Sequence, residues 1–462
     1  MKVTQQSRGW KLKCCVLLAM CINTAYADDN ADERIAKLQK MLEEQQWQMQ
    51  AMAEELKALQ GARGKAEGQP VFASFKEGVK LGDGSGNWQL AINGRVQADA
   101  RAFNPDETAA DTFSVRRARL GATMTFYKDY AARIEGEYSG SSTTLTYGYF
   151  DINKFKQARI RLGQFKPYYG LERSMSTNFT DFQERSMADA LLGSTYDRGV
   201  MVHGTPVNGV YYNAAWINGN SADESDAKYD NKDLMARVTG NIAEMAGWKG
   251  AVVHVGGFYA DGRQEGGSAI PVMQSEARGY KFFETADTTA NKFTNPVDRT
   301  RGGVELALAN GPVKLQSEYI RTSFEGTNFD RDLSAWYASL NWLVTGETFA
   351  DSYKEGMFGR INPNRNFSFG GDGWGALQLG IRYSSFDGSD FSTTNIAGTG
   401  RLRATSKTSE ADAWTVGANW IFNPNVRMIA NYVHTRFDTP VTVSGKTYDN
   451  EDALTMRAQF DF

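Results

Sequence analysis

Arginines recur in the first third of the chain at a spacing that gathers their guanidinium groups on one surface. Arg95, then Arg116, Arg117 and Arg119, then Arg159 and Arg161 stand in stretches where polar and apolar residues alternate. In an extended strand, positions two apart share a face. Guanidinium groups crowded on one wall of a narrow, partly desolvated channel bind oxyanions through paired hydrogen bonds and repel cations. Glu135, Glu137 and Asp151 are expected on the same side of neighbouring strands and would neutralise part of that field. Spacing alone therefore leaves open both an anion preference and a pore without one.

Other chemistry finds little support. His203, His254 and His434 lie far apart with no serine or acid at a catalytic spacing, and no nucleophile elbow, phosphate-binding loop or metal-ligand spacing occurs. An enzyme is not expected, nor a cofactor or metal. The three cysteines, Cys14, Cys15 and Cys21, all fall in an amino-terminal segment with the marks of an export signal. Lys2, Arg8, Lys11 and Lys13 form its basic start, Cys14 to Ile22 its short apolar core, and Ala25-Tyr26-Ala27 a cleavage site. Loss of residues 1–27 leaves a chain without thiols and shifts the formal charge from −3 to −7. A net acidic exported protein is a poor candidate for binding nucleic acid.

The elements that would position the arginines are strands. Mean hydropathy is −0.48, and no apolar run approaches the roughly 18–20 residues a membrane helix needs. From about residue 87 onward the hydrophobic period is two. At the end, Leu454, Met456, Ala458, Phe460 and Phe462 alternate with Thr455, Arg457, Gln459 and Asp461. Sixteen such segments can be marked, from 88–103 to 451–462, an even number as bacterial outer-membrane barrels require. Sixteen antiparallel strands enclose an aqueous lumen. On the first, Trp88, Leu90, Ile92, Val96 and Ala98 take the lipid face, which turns Gln89, Asn93, Arg95, Gln97, Asp99 and Arg101 inward. An arginine at the bilayer midplane would cost about 2–4 kcal/mol on the lipid face, so mid-strand arginines must point into the lumen. Arg116 is out of phase with Arg117 and Arg119 and needs a bulge to join them.

Alternate connections are short, which fixes the periplasmic side; Gly346 to Gly373 breaks this rule, and a register error there would change the strand count by two. Pro167 to Asp197, rich in aromatic and charged residues, is either a surface loop or a segment folded inward to narrow the pore.

Residues 30–60 differ from all this. They contain no glycine or proline, and Ile35, Leu38, Leu42, Gln45, Met49, Met52, Leu56 and Leu59 alternate at spacings of three and four. That seam predicts an α-helical coiled coil. The expected organisation is a signal peptide (1–27), a coiled coil (30–60), a Gly/Pro linker (61–74) and an all-β transmembrane barrel (75–462).

Four segments carry a family resemblance: Ile92-Asn93-Gly94-Arg95-Val96-Gln97-Ala98-Asp99, Val115-Arg116-Arg117-Ala118-Arg119-Leu120, Arg161-Leu162-Gly163-Gln164-Phe165-Lys166-Pro167-Tyr168-Tyr169-Gly170-Leu171-Glu172 and Leu343-Val344-Thr345-Gly346-Glu347. They resemble the phosphate-selective porin O and P family from about residue 75 to the end. The resemblance implies a homotrimer of sixteen-stranded outer-membrane barrels that takes up small anions passively, phosphate, pyrophosphate or polyphosphate among them. By motif position, the family's basic ladder falls on Arg95, Arg116 and Arg117, with Lys166 added from the third motif. The outer stretch 261–298 carries Arg263, Arg278, Lys281 and Lys292 diluted by Asp261, Glu265, Glu276, Glu284 and Asp287, and Gln164 stands where the family often has a basic residue. The other reading is a general diffusion porin for other solutes, whose coiled coil tethers the barrel towards the cell wall.

Overall fold

The computed structural model describes residues 40–41, 43–54, 71–74, 78–219, 231–265, 271–284, 293, 295–327, 329–391 and 406–462. The chain falls into two units, residues 1–69 and 70–462. In the first, the described residues within 40–54 are helical. The leader, the remaining seam positions and the glycines of the linker lie outside the described residues. The linker is shorter than expected, because Val71–Ser74, with a β-branched and an aromatic residue, already forms a strand of the second unit.

That unit is a closed antiparallel barrel of sixteen strands. They are β1 (Trp88–Asn104), β2 (Thr112–Phe126), β3 (Tyr130–Glu137) and β4 (Thr144–Phe155). Next come β5 (Ala158–Phe165), β6 (Asp197–Gly204), β7 (Val210–Ile217) and β8 (Asp233–Asn241). β9 (Ala251–Gln264), β10 (Val297–Asn310), β11 (Val313–Gly326) and β12 (Phe329–Leu343) follow. The last four are β13 (Ala376–Asp387), β14 (Glu410–Asn423), β15 (Val426–Val443) and β16 (Lys446–Asp461). Each pairs with its successor, and β16 pairs with β1 from Asp452↔Asn104 to Asp461↔Arg95, closing the sheet. The long Gly346–Gly373 connection does not disturb the count, since β12 pairs directly with β13 (Trp342↔Leu379). Below the point where β16 stops, β1 is covered by a hairpin of Val71–Ser74 and Val79–Asp83, whose second strand pairs from Val79↔Ile92 to Gly82↔Gln89. Phe462 seals the junction by exchanging two 3.0 Å backbone hydrogen bonds with Gly94.

Alternation sorts the side chains as the bilayer demands. Val96, Leu120, Ile134, Val238, Val304, Leu340, Val416 and Leu454 are exposed on the outer surface, while Gln97, Glu135, Arg237, Glu305, Asn341, Thr415 and Thr455 are buried inside. The usual hydrophobic order is inverted because lipid, not water, surrounds the barrel.

Among the described residues, three connections fold into the interior: an inner loop (166–196), the described part of the β9–β10 loop (265–296), and a periplasmic segment (344–375). One side of the barrel is thereby dry. Met187, Ala188, Leu191 and Leu192 of the inner loop pack with Phe282 and Phe283 of the β9–β10 loop against Met201, Ala215, Met235, Ile320, Phe324 and Leu333 of the wall. Phe182 lies over the paired glycines Gly380 and Gly417, where a Cβ on either would come within 3.0 Å of its ring. The wet side is left to β1–β5 and β16, the strands that carry most of the arginines singled out above.

The third resemblance motif also has a backbone role. Gly163, in mid-β5, has φ +118°, and a Cβ there would stand 2.3 Å from the Gly148 carbonyl oxygen. Gly163→Ala should therefore cost about 1–3 kcal/mol from the backbone conformation alone, with the overlap adding to it. The expected result is a lower temperature for the gel-mobility shift from folded to unfolded barrel. An unchanged transition would show that β5 can flatten without loss.

Candidate functional site

The site is the gap between the β1–β5 wall and the inner loop. The loop is held against the opposite wall by the Glu318 carboxylate of β11, which accepts the Leu171 and Glu172 backbone N–H groups at 2.6 and 2.8 Å and the Tyr337 hydroxyl at 2.6 Å. Lys314 pairs with Asp181 at 2.7 Å, and the Gln183 N–H reaches Asn431 Oδ1 at 2.7 Å. So anchored, the loop presents Thr177, Asn178 and Glu184 to the arginine wall.

Glu184 is the centre of the outer cluster. Its Oε1 accepts from Arg457 Nη2 at 2.8 Å and from Arg101 Nη2 and Arg116 Nε at 3.1 Å each. Arg116 reaches it because β2 bulges there: Gln97 faces Arg117 while Ala98 faces Val115, so Arg116 is the extra residue. Burial would push the Glu184 carboxyl up, but the guanidinium groups of Arg116, Arg457 and Arg117 hold it well below the usual carboxylate range. Asp99 takes a bidentate contact from Arg457 (2.7 and 2.8 Å) and one from Arg101 at 2.8 Å. Arg278, from the β9–β10 loop, stands within electrostatic reach of Arg116, Glu184, Arg101 and Arg457. Five guanidinium groups (Arg101, Arg116, Arg117, Arg278 and Arg457) thus face the two carboxylates Asp99 and Glu184.

Deeper in the lumen a second cluster is nearly balanced. Arg119 bonds Glu137 at 2.6 Å and the Tyr196 hydroxyl at 2.5 Å. Arg133 bonds Glu135 at 2.6 Å, and Arg95 Nη2 lies 3.8 Å from the same carboxyl while its Nη1 donates to Thr177 Oγ1 at 2.9 Å. Tyrosine faces steady the cations: Arg133 lies 4.4 Å from the Tyr147 ring centre and Arg161 3.9 Å from that of Tyr149.

Arg117 sits between the two clusters and is different. Its Nη1 donates to Gln97 Oε1 at 2.8 Å, Gln97 being itself fixed by Gln459 and the Thr177 carbonyl. Among the described residues, no carboxylate comes within ion-pair distance of Arg117.

A family model described as phosphate-selective porin O and P matches residues 90–462. The chain belongs to that family. Porin O of Pseudomonas aeruginosa is 26% identical over 427 residues, 86% of this chain and 93% of that protein. Among solved structures, the outer membrane channel DcaP of Acinetobacter baumannii superposes with a TM-score of 0.51 at 14% identity, covering 82% of this chain and 98% of that one. An anion-selective porin from Comamonas acidovorans gives 0.50 at 10% identity, covering 81% of this chain and all of that one. These likenesses, too distant for more, share the fold. The protein is a porin of the bacterial outer membrane.

In this porin O and P member the expected arginines part company. Arg95, Arg116, Arg117 and Arg119 meet at the gap. Arg161 is bound bidentately by Asp151 at 2.8 Å, and Arg159 lies nearer the periplasm beside Glu355. Lys166 does not present its ammonium to the lumen. Buried, it donates to the Ser174 and Met175 carbonyls at 2.8 and 2.9 Å and staples the root of the inner loop. Arg457, Arg133 and Arg278 line the gap although they were not among the residues singled out, and Arg101, expected to face inward without a named role, joins them. For Arg457 the signal was present, since it stands on the polar face of the last strand; for Arg278 only the folded loop reveals it. The histidines are separate: His203 meets Tyr211, His254 meets Glu305 and Tyr353, and His434 meets Asp452. Family and fold point to a channel, not an enzyme.

Proposed function

We propose that this porin conducts small inorganic anions, phosphate and its condensed forms among them, along the wall formed by Arg95, Arg116, Arg117 and Arg119. The observation that carries the reading is Arg117, a guanidinium at the gap that, among the described residues, has no carboxylate within ion-pair distance. An oxyanion there gains charge-assisted hydrogen bonds without having to displace an internal acid. The test is the zero-current potential of purified channels in a salt gradient, followed by titration with phosphate and pyrophosphate. Anion preference and block by both are expected. The ion-paired state of Arg119, Arg133 and Arg161 favours a second reading, a general diffusion pore, which the same measurement identifies by equal permeation of both ion signs.

The assembly we infer is a trimer, as family membership suggests, with residues 30–60 forming a coiled coil between copies that extends towards the cell wall. Mass measurement in mild detergent should give three chains. Removal of 30–60 with the signal retained should leave insertion and conductance intact, because the sixteen barrel strands all lie after it, from Trp88 onward. Loss of the folded barrel would refute that division.

A further inference from the structure

At the periplasmic end the lumen is divided by part of the segment between β12 and β13. Tyr353–Lys354 and Met357–Phe358 form a short antiparallel ladder across the opening. Its tip, with Glu355 at φ 49° and Gly356 at φ 76°, is held inside the barrel: Arg237 donates to the Gly356 carbonyl at 2.8 Å, and Tyr353 pairs with His254 at 2.6 Å. The two sides of this ladder differ. On one, Phe349 and Phe358 pack with Leu171, Met175 and Leu343, Lys314 sits over both rings, and Arg360 is bound to Asp461. The cavity remaining there is about 20 Å³, enough for about one water. On the other, a cavity of about 480 Å³ opens between the ladder and the turns of β4–β9, bordered by Lys156, Asn208, Tyr211, Trp248, Lys249 and Glu355.

Arg159 descends towards that side. It stands two residues below Arg161 on the same face of β5, and its Nη2 lies 3.0 Å from Glu355 Oε2. The contact is an ion pair without hydrogen-bond alignment: Arg159 Nε and Nη2 are buried and, among the described residues, donate to no acceptor. The pair as a whole is still partly open, with 18% of the Arg159 side chain and 27% of the Glu355 side chain exposed, so an arriving anion is drawn by the guanidinium and repelled by the neighbouring carboxylate.

We propose that ions leave the barrel through this eccentric cavity, between the Tyr353–Phe358 ladder and the β5–β9 wall, and that Glu355 limits anion passage there by occupying Arg159. The route requires only that the barrel conducts; the role of Glu355 rests on the anion reading above. Asn208→Cys, Lys249→Cys and Ile361→Cys each add one thiol to a chain whose own three cysteines all lie in the expected signal peptide (1–27), the first two at the rim of the large cavity and the third beside the small one. The protein is reconstituted in planar bilayers and treated with sulfonatoethyl methanethiosulfonate from either chamber in turn. The conductance should fall by about half for Asn208→Cys and Lys249→Cys, as expected when a bulky group narrows a conducting path, and stay unchanged for Ile361→Cys. Block through Ile361→Cys, or none at the other two, overturns the route. Separately, Glu355→Gln should raise conductance roughly twofold in 0.1 M salt and hardly at all in 1 M, where the Debye length shrinks from about 10 to about 3 Å. Unchanged conductance at low salt overturns the role of Glu355. A fall in conductance, with labelling as expected, would instead mark a cation channel with the same exit and refute the anion reading.

Discussion

Changing Arg95, Arg116 and Arg117 together to alanine moves the zero-current potential of the channel in a salt gradient from the anion side towards the cation side. The outer cluster sets five guanidinium groups against two carboxylates, and the triple change removes two of the five. The third, Arg95, comes from the inner cluster, where Arg95, Arg119 and Arg133 face Glu135 and Glu137, and its loss leaves that cluster neutral. At 7 Å and an effective dielectric constant of 20, one unit charge is worth about 2 kcal/mol to a passing ion before screening. Salt at 0.1 M, with a Debye length of about 10 Å, reduces this without abolishing it. The anion-to-cation permeability ratio should therefore fall about tenfold for the triple variant. Arg117→Ala alone should do less to the ratio, because its neighbours still set the potential, yet should weaken phosphate block most among the single changes. Arg159→Ala, nearer the periplasm, should leave the phosphate block in place. If the triple variant keeps the wild-type reversal potential, selectivity is set elsewhere in the lumen.

Strand number and side-chain polarity were legible because both follow from a period-two pattern constrained by lipid. The inward face of Arg95, Arg117 and Arg119 could be deduced, since its alternative puts charge in hydrocarbon. Arg116 needed a bulge, and the register shift between Gln97 and Ala98 supplies one. What the alternation could not convey is pairing across the lumen. Arg119 and Arg117 look equivalent from their spacing, yet Glu137 and Tyr196 occupy the first while, among the described residues, the second is hydrogen-bonded by the neutral Gln97. Lys166 is adjacent to β5 in sequence, but the turn into the inner loop directs it towards the carbonyls of Ser174 and Met175. Loop segments carry no periodicity, so the inward fold of the β9–β10 loop, which brings Arg278 to the outer cluster, had no local signal. Gly346–Gly373 is a related case: its length is accounted for by a ladder that enters the lumen, not by a missing pair of strands.

Arg382 is where the inner loop, the β9–β10 loop and the wall are fastened together, and its replacement by methionine should release both loops. The guanidinium is fully buried on β13. It bonds Glu172 of the inner loop at 3.2 Å, Glu276 of the β9–β10 loop at 2.7 and 3.2 Å, and the Glu184 carbonyl at 3.2 Å, with the Phe182 ring 4.6 Å away. Burial already raises the Glu172 carboxyl despite Arg382, so loss of the guanidinium leaves an acid with little to hold its charge. Removing one partner from a buried ionic group costs about 3–5 kcal/mol. The barrel wall does not depend on this contact, so Arg382→Met should still insert. Its channels should show larger, noisier conductance and an earlier loss of structure on heating. Arg382→Lys should restore only part of this, because an ammonium is a point charge and cannot fork between two carboxylates. The decisive comparison adds Glu172→Gln and Glu276→Gln to Arg382→Met. With no charge left unpaired, most of the thermal stability should return, while the loops remain less firmly joined and the conductance stays raised. If Arg382→Met matches the wild type in noise and in melting, the loops are held by the apolar packing of Phe182, Phe282 and Phe283, and the ionic junction is incidental.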